Sequence, residues 1–295
     1  MLANFTTGDT TVNTNVSPNH CQTINRAFVL GYPVDLVDMP TAISLMEGFW
    51  QSKCGMHVVT LNAEMTMQSI NNKELGAIIK RADLVVPDGA GVVLALKNRG
   101  GVCAQAARLP GIELAQKALE LAAARGEKVA LLGGRPEVME KLKEILPQKH
   151  PGLNVVAYQN GFFQAEAEAS VMADLAALKP GLVLVALGVP RQEFVIDKYR
   201  RLFPEAVMVG VGGSFDVWTG FVQRAPVSYQ KLHLEWLYRL QKEPWRFKRM
   251  AGTLPVFALK ALFENLTGKY RPAELRSPLK LTENSAAGLD SKNAI

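Results

Sequence analysis

The feature that most constrains the fold is a recurring unit, in which a short apolar run ends at a small or polar residue and a helical pattern follows. Clear examples of the run are Val58–Val59, Leu84–Val86, Leu182–Leu187 and Val207–Val211. Each run is too short for a helix, and the residues after it favour turns and helix caps. Six or seven such strands alternate with helices along the chain. This alternation predicts an α/β fold with a mostly parallel sheet and helices on both faces.

Polar side chains stand at the ends of two of these predicted strands. The strand at 57–61 runs through Thr60 into Asn62, and the strand at 83–86 leads to Asp88. Ligands bind at the carboxyl ends of the strands in open α/β sheets, so a hydroxyl, an amide and a carboxylate would share one rim there. Such a set suits a polyhydroxylated substrate. Asn62 and Asp88 are also ordinary helix N-cap residues, and capping alone is the alternative interpretation.

A glycine pair, Gly133-Gly134, separates the predicted strand at 128–132 from the next helix. Glycines at this position let backbone N–H groups approach a phosphate at the positive end of a helix. A tight turn without a ligand is the alternative. The chain has neither G-x-G-x-x-G nor a P-loop, which disfavours a nicotinamide oxidoreductase and an ATPase. Phe162 and Phe163 follow another strand; they could cover a nucleobase, although we expect them in the core.

The chain of 295 residues is 48% hydrophobic and 20% charged, which fits a large α/β domain with an appendage. We expect a disordered extension over 1–25, the α/β domain over 26–225, a helical appendage over 226–271 and a disordered tail over 272–295. Neither a membrane-spanning apolar run nor a signal pattern is evident, which favours the cytoplasm. The three cysteines and four histidines lack metal-ligand spacing, so we expect no metal and no cofactor.

The positive charge of the chain is concentrated near its C-terminal end. Ten Lys or Arg and three Glu lie between Arg224 and Arg271, giving +7 there, whereas the whole chain carries +6. Trp236, Tyr238, Trp245, Phe247 and Phe257 are interleaved with these cations. The pattern favours a helical appendage on an anionic membrane surface. Nucleic-acid binding, which we disfavour, and a plain solvated helical face are the alternatives.

Taken together, several sequence blocks resemble the WecG/TagA/CpsF family of bacterial glycosyltransferases. Their order and spacing agree over about residues 26 to 250. One departure is Thr60-Leu61-Asn62-Ala63-Glu64, where many members have T-P-N-P-E. The matching blocks are VVTLNAE (58–64), ADLVVPDGAGVV (82–93), RLPGIEL (108–114), LLGG (131–134), GFF (161–163), ALGVPRQE (186–193), GVGGSFD (210–216), RAP (224–226) and LEWLYRLQKEPWR (234–246).

The resemblance implies a Rossmann-like fold and a specific reaction. Members transfer an N-acetylhexosamine, typically N-acetylmannosamine, from a UDP-sugar to N-acetylglucosamine on undecaprenyl diphosphate, for surface polysaccharide synthesis. The reaction inverts the anomeric centre and is thought to need no metal, which the absence of an Asp-x-Asp motif fits. The appendage is thought to contact the inner face of the cytoplasmic membrane. The alternative is a non-catalytic sugar-nucleotide-binding protein that docks on membranes. A homo-oligomer is compatible with either function.

The resemblance also assigns roles to individual residues. Asp88 of the P-D-G block is the expected general base, and Thr60, Asn62 and Gln192 are expected in the same pocket. A leaving diphosphate gains negative charge, which arginines and helix N-termini stabilise without a metal. The predicted substrate-binding set is Thr60, Asn62, Arg108, Gly133, Gly134, Phe162, Arg191, Gln192, Gly213 and Arg224.

Overall fold

The computed structural model describes residues 23–231, 235–242 and 247–277. These residues form nine strands and twelve α-helices, joined by loops and three short 3-10 turns. The strands are β1 (Ile24–Val29), β2 (Tyr32–Asp35), β3 (Met56–Leu61), β4 (Leu84–Pro87), β5 (Lys128–Gly133), β6 (Asn154–Gln159), β7 (Leu182–Ala186), β8 (Val207–Gly210) and β9 (Glu274–Arg276).

The helices alternate with the strands until β8 and then, among the described residues, continue without strands as far as β9. They are α1 (Met39–Gln51), α2 (Ala63–Asn71), α3 (Lys73–Arg81), α4 (Ala90–Lys97), α5 (Gly111–Arg125), α6 (Pro136–Lys149), α7 (Glu168–Ala177), α8 (Arg191–Tyr199), α9 (Ser214–Trp218), α10 (Val227–Lys231), α11 (Glu235–Lys242) and α12 (Phe247–Thr267).

Six strands form one parallel sheet in the order β4-β3-β8-β7-β5-β6. The predicted α/β fold with a parallel sheet is therefore confirmed. Alternate residues of each strand pack against opposite helical layers, as the two-residue period of a strand requires. Val58 and Leu184 face the core formed with α1, α5 and α6, whereas Val59 and Val185 face the helices on the other side. Each fully buried Val or Leu contributes about 1.5–3 kcal/mol of transfer free energy.

The first two strands lie outside the parallel sheet. They form the β1–β2 hairpin, which joins β9 in a separate antiparallel sheet. Arg26 forms two hydrogen bonds of 2.7 Å with Asp35, and Arg276 of β9 reaches both oxygens of the same carboxylate at 3.1 Å. Burial lowers the pKa of Arg276, and the charge of Asp35 acts against this.

The ends of the chain were predicted to be disordered. Most of the predicted extension and tail, residues 1–22 and 278–295, lies outside the described residues. Inside the described part, β1 begins at Ile24 and β9 lies beyond residue 272, so strands occupy parts of both predicted terminal segments. The division of the chain into domains stays a prediction.

The glycine pair at the end of β5 is required by packing. Gly133 has φ +118°, and a Cβ atom there would lie 2.3 Å from the carbonyl oxygen of Ala186 on β7. Gly134 N–H donates to that same oxygen at 3.0 Å, and Gly161 N–H donates to the Gly134 carbonyl at 2.9 Å. The amide of Gly134 is thus engaged within the protein, and the strand ends approach more closely than side chains would allow.

We predict that Gly133→Ala destabilises the fold by about 4 kcal/mol, because left-handed backbone strain adds to a collision with main-chain atoms. Gly152 is the matched control, since it also has a positive φ (+84°) but no atom within 4 Å of an added Cβ. Gly152→Ala is expected to cost about 1 kcal/mol. Denaturant unfolding of both variants measures the difference, and equal losses would contradict the packing explanation.

Candidate active site

The neighbouring strands β3 and β4 bring three of the predicted residues to one rim. Leu61 pairs with Pro87 in the parallel register, and Asp88 N–H donates to the Leu61 carbonyl at 3.0 Å. Asn62 and Asp88 therefore directly follow two adjacent strands and lie side by side. Thr60 lies just below the rim and is buried. Its hydroxyl donates to the Gly210 carbonyl of β8 at 3.2 Å.

Helix capping separates the roles of Asn62 and Asp88. Asn62 is the N-cap of α2, and its Oδ1 accepts a hydrogen bond from Met65 N–H at 2.9 Å. The N-cap of α4, in contrast, is Gly89, and this cap has no side-chain hydrogen bond. Capping is therefore confirmed for Asn62, whereas Asp88 does not occupy the N-cap position. The half-buried Asp88 lies on the rim, one residue before Gly89.

Arg108 connects the end of β4 to the C-terminal helices. Its Nε donates to the main-chain oxygen of Asp88 at 2.7 Å, and its Nη2 forms an ion pair with Glu235 of α11. The two charged side chains are 16% and 15% exposed, so water screens this pair less than a surface pair. The contact holds α11 beside the carboxylate that is predicted to act as the base.

A second arginine is paired with the first turn of α5, the helix whose start contacts Thr60. Arg224 Nη2 forms an ion pair with Glu113, in the first turn of α5. A Cβ atom on Gly111, at the start of the same helix, would lie 2.9 Å from the Thr60 methyl group. Arg108 and Arg224, both predicted to bind the substrate, thus lie at the β3–β4 end of the rim and each already contacts a carboxylate.

The β5, β6 and β7 ends form the other part of the rim. Arg191 Nη1 donates to the Gly161 carbonyl at 3.0 Å, and its guanidinium lies 4.9 Å from the centre of the Phe163 ring. Phe163 is half-buried against the core, as we expected, but the expectation is wrong for Phe162, whose side chain is 72% exposed. Gly133 lies next to Gly161 beneath this surface.

Gln192 lies between these two parts of the rim but is buried. Only 1% of the residue is exposed, and its Oε1 accepts from Gly212 N–H at 3.0 Å. Gly213, which follows, is exposed and is the N-cap of α9. In this conformation the amide of Gln192 therefore faces the protein interior.

Sequence reasoning missed the carboxylates that partner these residues. Glu113, Glu193 and Glu235 each bond a residue of the predicted set. All three stood inside the matching blocks at 108–114, 186–193 and 234–246. The signal was therefore present, but a glutamate in a helical turn is ordinary and its partner is visible only in three dimensions.

Comparison with known proteins decides the family. The model of the glycosyl transferase WecG/TagA/CpsF family matches residues 27–271. The chain belongs to this glycosyltransferase family. The resemblance drawn from the sequence blocks is thus confirmed.

Two curated relatives carry the same name, N-acetylglucosaminyldiphosphoundecaprenol N-acetyl-beta-D-mannosaminyltransferase. The protein of Bacillus spizizenii is 39% identical over 196 residues, which are 66% of this chain and 75% of the relative. The protein of Bacillus subtilis is 33% identical over 225 residues, 76% of this chain and 86% of the relative.

Within the described ranges, no helix is long and apolar enough to cross a membrane. In the same part of the chain, no group of three or more His, Cys, Asp or Glu side chains is placed to hold a metal ion.

We predict that Glu235→Gln loosens α11, because it removes the charge that holds Arg108. A loss of about 1 kcal/mol would raise the population of the undocked helix about 5-fold. Trypsin cleavage within residues 231–249 should accelerate by the same factor. Glu274→Gln is the control, since Glu274 pairs with Arg271 on an exposed surface. An unchanged cleavage rate in Glu235→Gln would contradict this role for the ion pair.

Proposed function

We propose that this protein transfers N-acetylmannosamine, or a related N-acetylhexosamine, from a UDP-sugar to N-acetylglucosamine on a polyprenyl diphosphate. The names of the two Bacillus relatives support the sugar and the acceptor. Those names also specify a β-linked product. If the donor is an α-linked UDP-sugar, a β-linked product requires inversion at the anomeric carbon.

The observation that carries the proposal is the position of Asp88. An inverting transfer needs one base that takes the proton of the acceptor hydroxyl while the nucleoside diphosphate leaves from the opposite face of the sugar. Asp88 lies at the carboxyl end of a buried parallel strand, beside Asn62, and is not the cap of the helix that follows. Its main chain is fixed by Leu61 and Arg108.

The leaving diphosphate needs positive charge, which we assign to arginines. Arg108 and Arg224 flank the Asp88 side of the rim through their contacts with Asp88 and α5. Arg191 lies near the exposed Phe162 on the other side. The ring of Phe162 offers a stacking surface for a uracil base. This assignment places the uracil of the nucleotide over β6 and the anomeric carbon of the sugar towards β4. We infer that the transfer does not depend on a metal.

We predict that Asp88→Asn lowers kcat by at least about 100-fold and leaves UDP-sugar affinity within about 3-fold, because a general base acts mainly in the transition state. The assay follows UDP release and disaccharide-lipid by mass spectrometry, with EDTA present. Asp83→Asn is a matched control at the opposite end of β4, where the carboxylate bonds Arg200 and the His57 N–H.

The outcomes separate the parts of the proposal. Turnover near the parent level in Asp88→Asn would remove Asp88 as the base. Loss of parental turnover in EDTA, restored by a divalent ion, would overturn the metal-independent mechanism. Binding of UDP-sugar without product from any acceptor would favour the non-catalytic alternative.

An apolar stripe on α12 supports a position of the protein at the membrane surface. Phe257 and Ala261 are buried against the core, so the predicted membrane role of Phe257 is wrong. The opposite side of the helix exposes large apolar side chains that recur at helical spacing. They are Val256, Leu259, Leu262, Phe263 and Leu266, which are 40%, 67%, 51%, 65% and 78% exposed. Such a stripe beside an exposed Lys260 suits an interfacial helix on anionic lipid.

The stripe is close to the candidate site. A Cβ atom on Gly91 of α4 would lie 3.3 Å from the Phe257 ring and 3.5 Å from the Ala63 Cβ on α2. Phe257 therefore packs between the first turns of α2 and α4, directly after Asn62 and Asp88. A lipid-linked acceptor that enters from the α12 side would present its sugar at this rim.

We predict that Leu259→Glu combined with Phe263→Glu lowers co-sedimentation with phosphatidylglycerol-containing vesicles at least about 10-fold, since charged groups replace apolar ones at the lipid boundary. Turnover with a short-chain, water-soluble acceptor should persist. Leu202→Glu is the control, because Leu202 is 46% exposed and lies before β8, at the amino ends of the strands and away from the rim. Unchanged sedimentation of the double variant would refute the membrane role of the stripe.

A further inference from the structure

A chain of buried hydrogen bonds lies beneath the rim and connects residues that the proposed mechanism leaves without a role. Gln192, Glu193 and His57 are 1%, 0% and 1% exposed. Gln192 Oε1 accepts from Gly212 N–H at 3.0 Å, and Gln192 Nε2 donates to Glu193 Oε1 at 2.9 Å. The other oxygen of Glu193 lies 2.9 Å from His57 Nε2. This chain of hydrogen bonds thus runs from the turn after β8 to the middle of the sheet.

The carboxylate of Glu193 sets the direction of every bond in this chain. An ionised carboxylate only accepts hydrogen bonds, so Gln192 must turn its NH2 group towards Glu193 and its carbonyl towards Gly212. Similarly, His57 Nε2 must carry the proton that it shares with Glu193. His57 Nδ1 has no hydrogen-bond partner among the described residues, which agrees with a proton on Nε2. A neutral residue at position 193 would not impose this order.

The end of β8 has no room for a different arrangement. A Cβ atom on Gly210 would lie 2.5 Å from Gln192 Nε2 and 2.6 Å from Glu193 Oε1. The carbonyl of Gly210 accepts the Thr60 hydroxyl. The same strand end is therefore held from the Thr60 side and from the Gln192 side, and it continues directly into the exposed turn at Gly212-Gly213.

We propose that Glu193 is a positioning residue, which fixes the amide of Gln192 and thereby the Gly212-Gly213 turn of the active site. Gln192 acts by holding this turn and does not itself touch the substrate. The proposal rests on the proposed transferase function, because the turn forms the middle of the rim between the Asp88 part and the Phe162 part.

The first test is Glu193→Gln, which keeps the shape but has one acceptor oxygen in place of two. Gln192 and His57 can then both be satisfied only if His57 moves its proton to Nδ1, where a buried donor would have no partner. We expect kcat to fall roughly 10-fold to 100-fold, with the KM for UDP-sugar within about 3-fold. Hydrogen exchange of residues 211–216 should accelerate at least about 5-fold. Asp35→Asn, also at a buried carboxylate but in the β1–β2–β9 sheet, controls for general destabilisation and should leave kcat and this exchange unchanged.

The second test exchanges the two side chains, combining Gln192→Glu with Glu193→Gln. The carboxylate, now at position 192, would accept from Gly212 N–H and from the amide NH2 group at position 193. The amide carbonyl at position 193 would accept from His57 Nε2. Every bond of the chain is restored although the charge has moved by one residue. We expect kcat to recover to within about 5-fold of the parent, with slow exchange at residues 211–216.

Three results would overturn the proposal. One is parental kcat in Glu193→Gln, and another is unchanged exchange at residues 211–216, which is measured without any substrate. The third is a double variant in which hydrogen exchange at residues 211–216 is slow again but turnover is not restored, because Gln192 would then act on the substrate directly. Absence of product from the parent chain would instead refute the proposed function, and the exchange measurement would still decide whether Glu193 holds the turn.

Discussion

The hydrogen-bonded register between β3 and β4 is the constraint on which the rest of the site depends. Because Leu61 pairs with Pro87, Asn62 and Asp88 lie at the same level along the strand direction. A slip of one residue would send every side chain of β4 to the other face, because the period of a strand is two. Val86 would then leave one core and Asp88 would no longer stand beside Asn62. The hydrogen-bonded pairing of β4 with β3 therefore fixes the position of Asp88.

Glutamates neutralise the charge of two arginines on the rim. Arg108 contacts the main chain of Asp88, Arg224 contacts the first turn of α5, and each pairs with a glutamate from another element. An unpaired guanidinium in a half-buried place is costly, so the glutamates stabilise the protein without substrate. A diphosphate is a stronger acceptor than a carboxylate and can replace one of them. Since Glu235 lies on α11, this exchange would couple substrate binding to the position of the C-terminal helices.

The parallel sheet was predictable because it depends on local patterns: short apolar runs, turn residues and helical spacing recur in the sequence. The rim followed from the rule that loops at the carboxyl ends converge. The antiparallel sheet was not predictable, because β9 pairs with β1 across some 250 residues, and a three-residue strand has no periodic signal. Gln192 shows the same limit in the site. Its block was noticed, but only the fold shows that its amide is directed inwards.

Under the proposed function, the position of α12 would allow one rim to serve two substrates of opposite character. A sugar nucleotide is soluble and anionic and suits the arginines and the open surface near Phe162. A polyprenyl chain is insoluble, and the apolar stripe of α12 faces away from the core on the side of Asn62 and Asp88. Phe257 links the two regions, since the same helix that exposes the stripe packs this ring against the first turns of α2 and α4. A helix held at the membrane would therefore keep the Asp88 rim near the headgroups, where the diphosphate of a lipid-linked sugar lies.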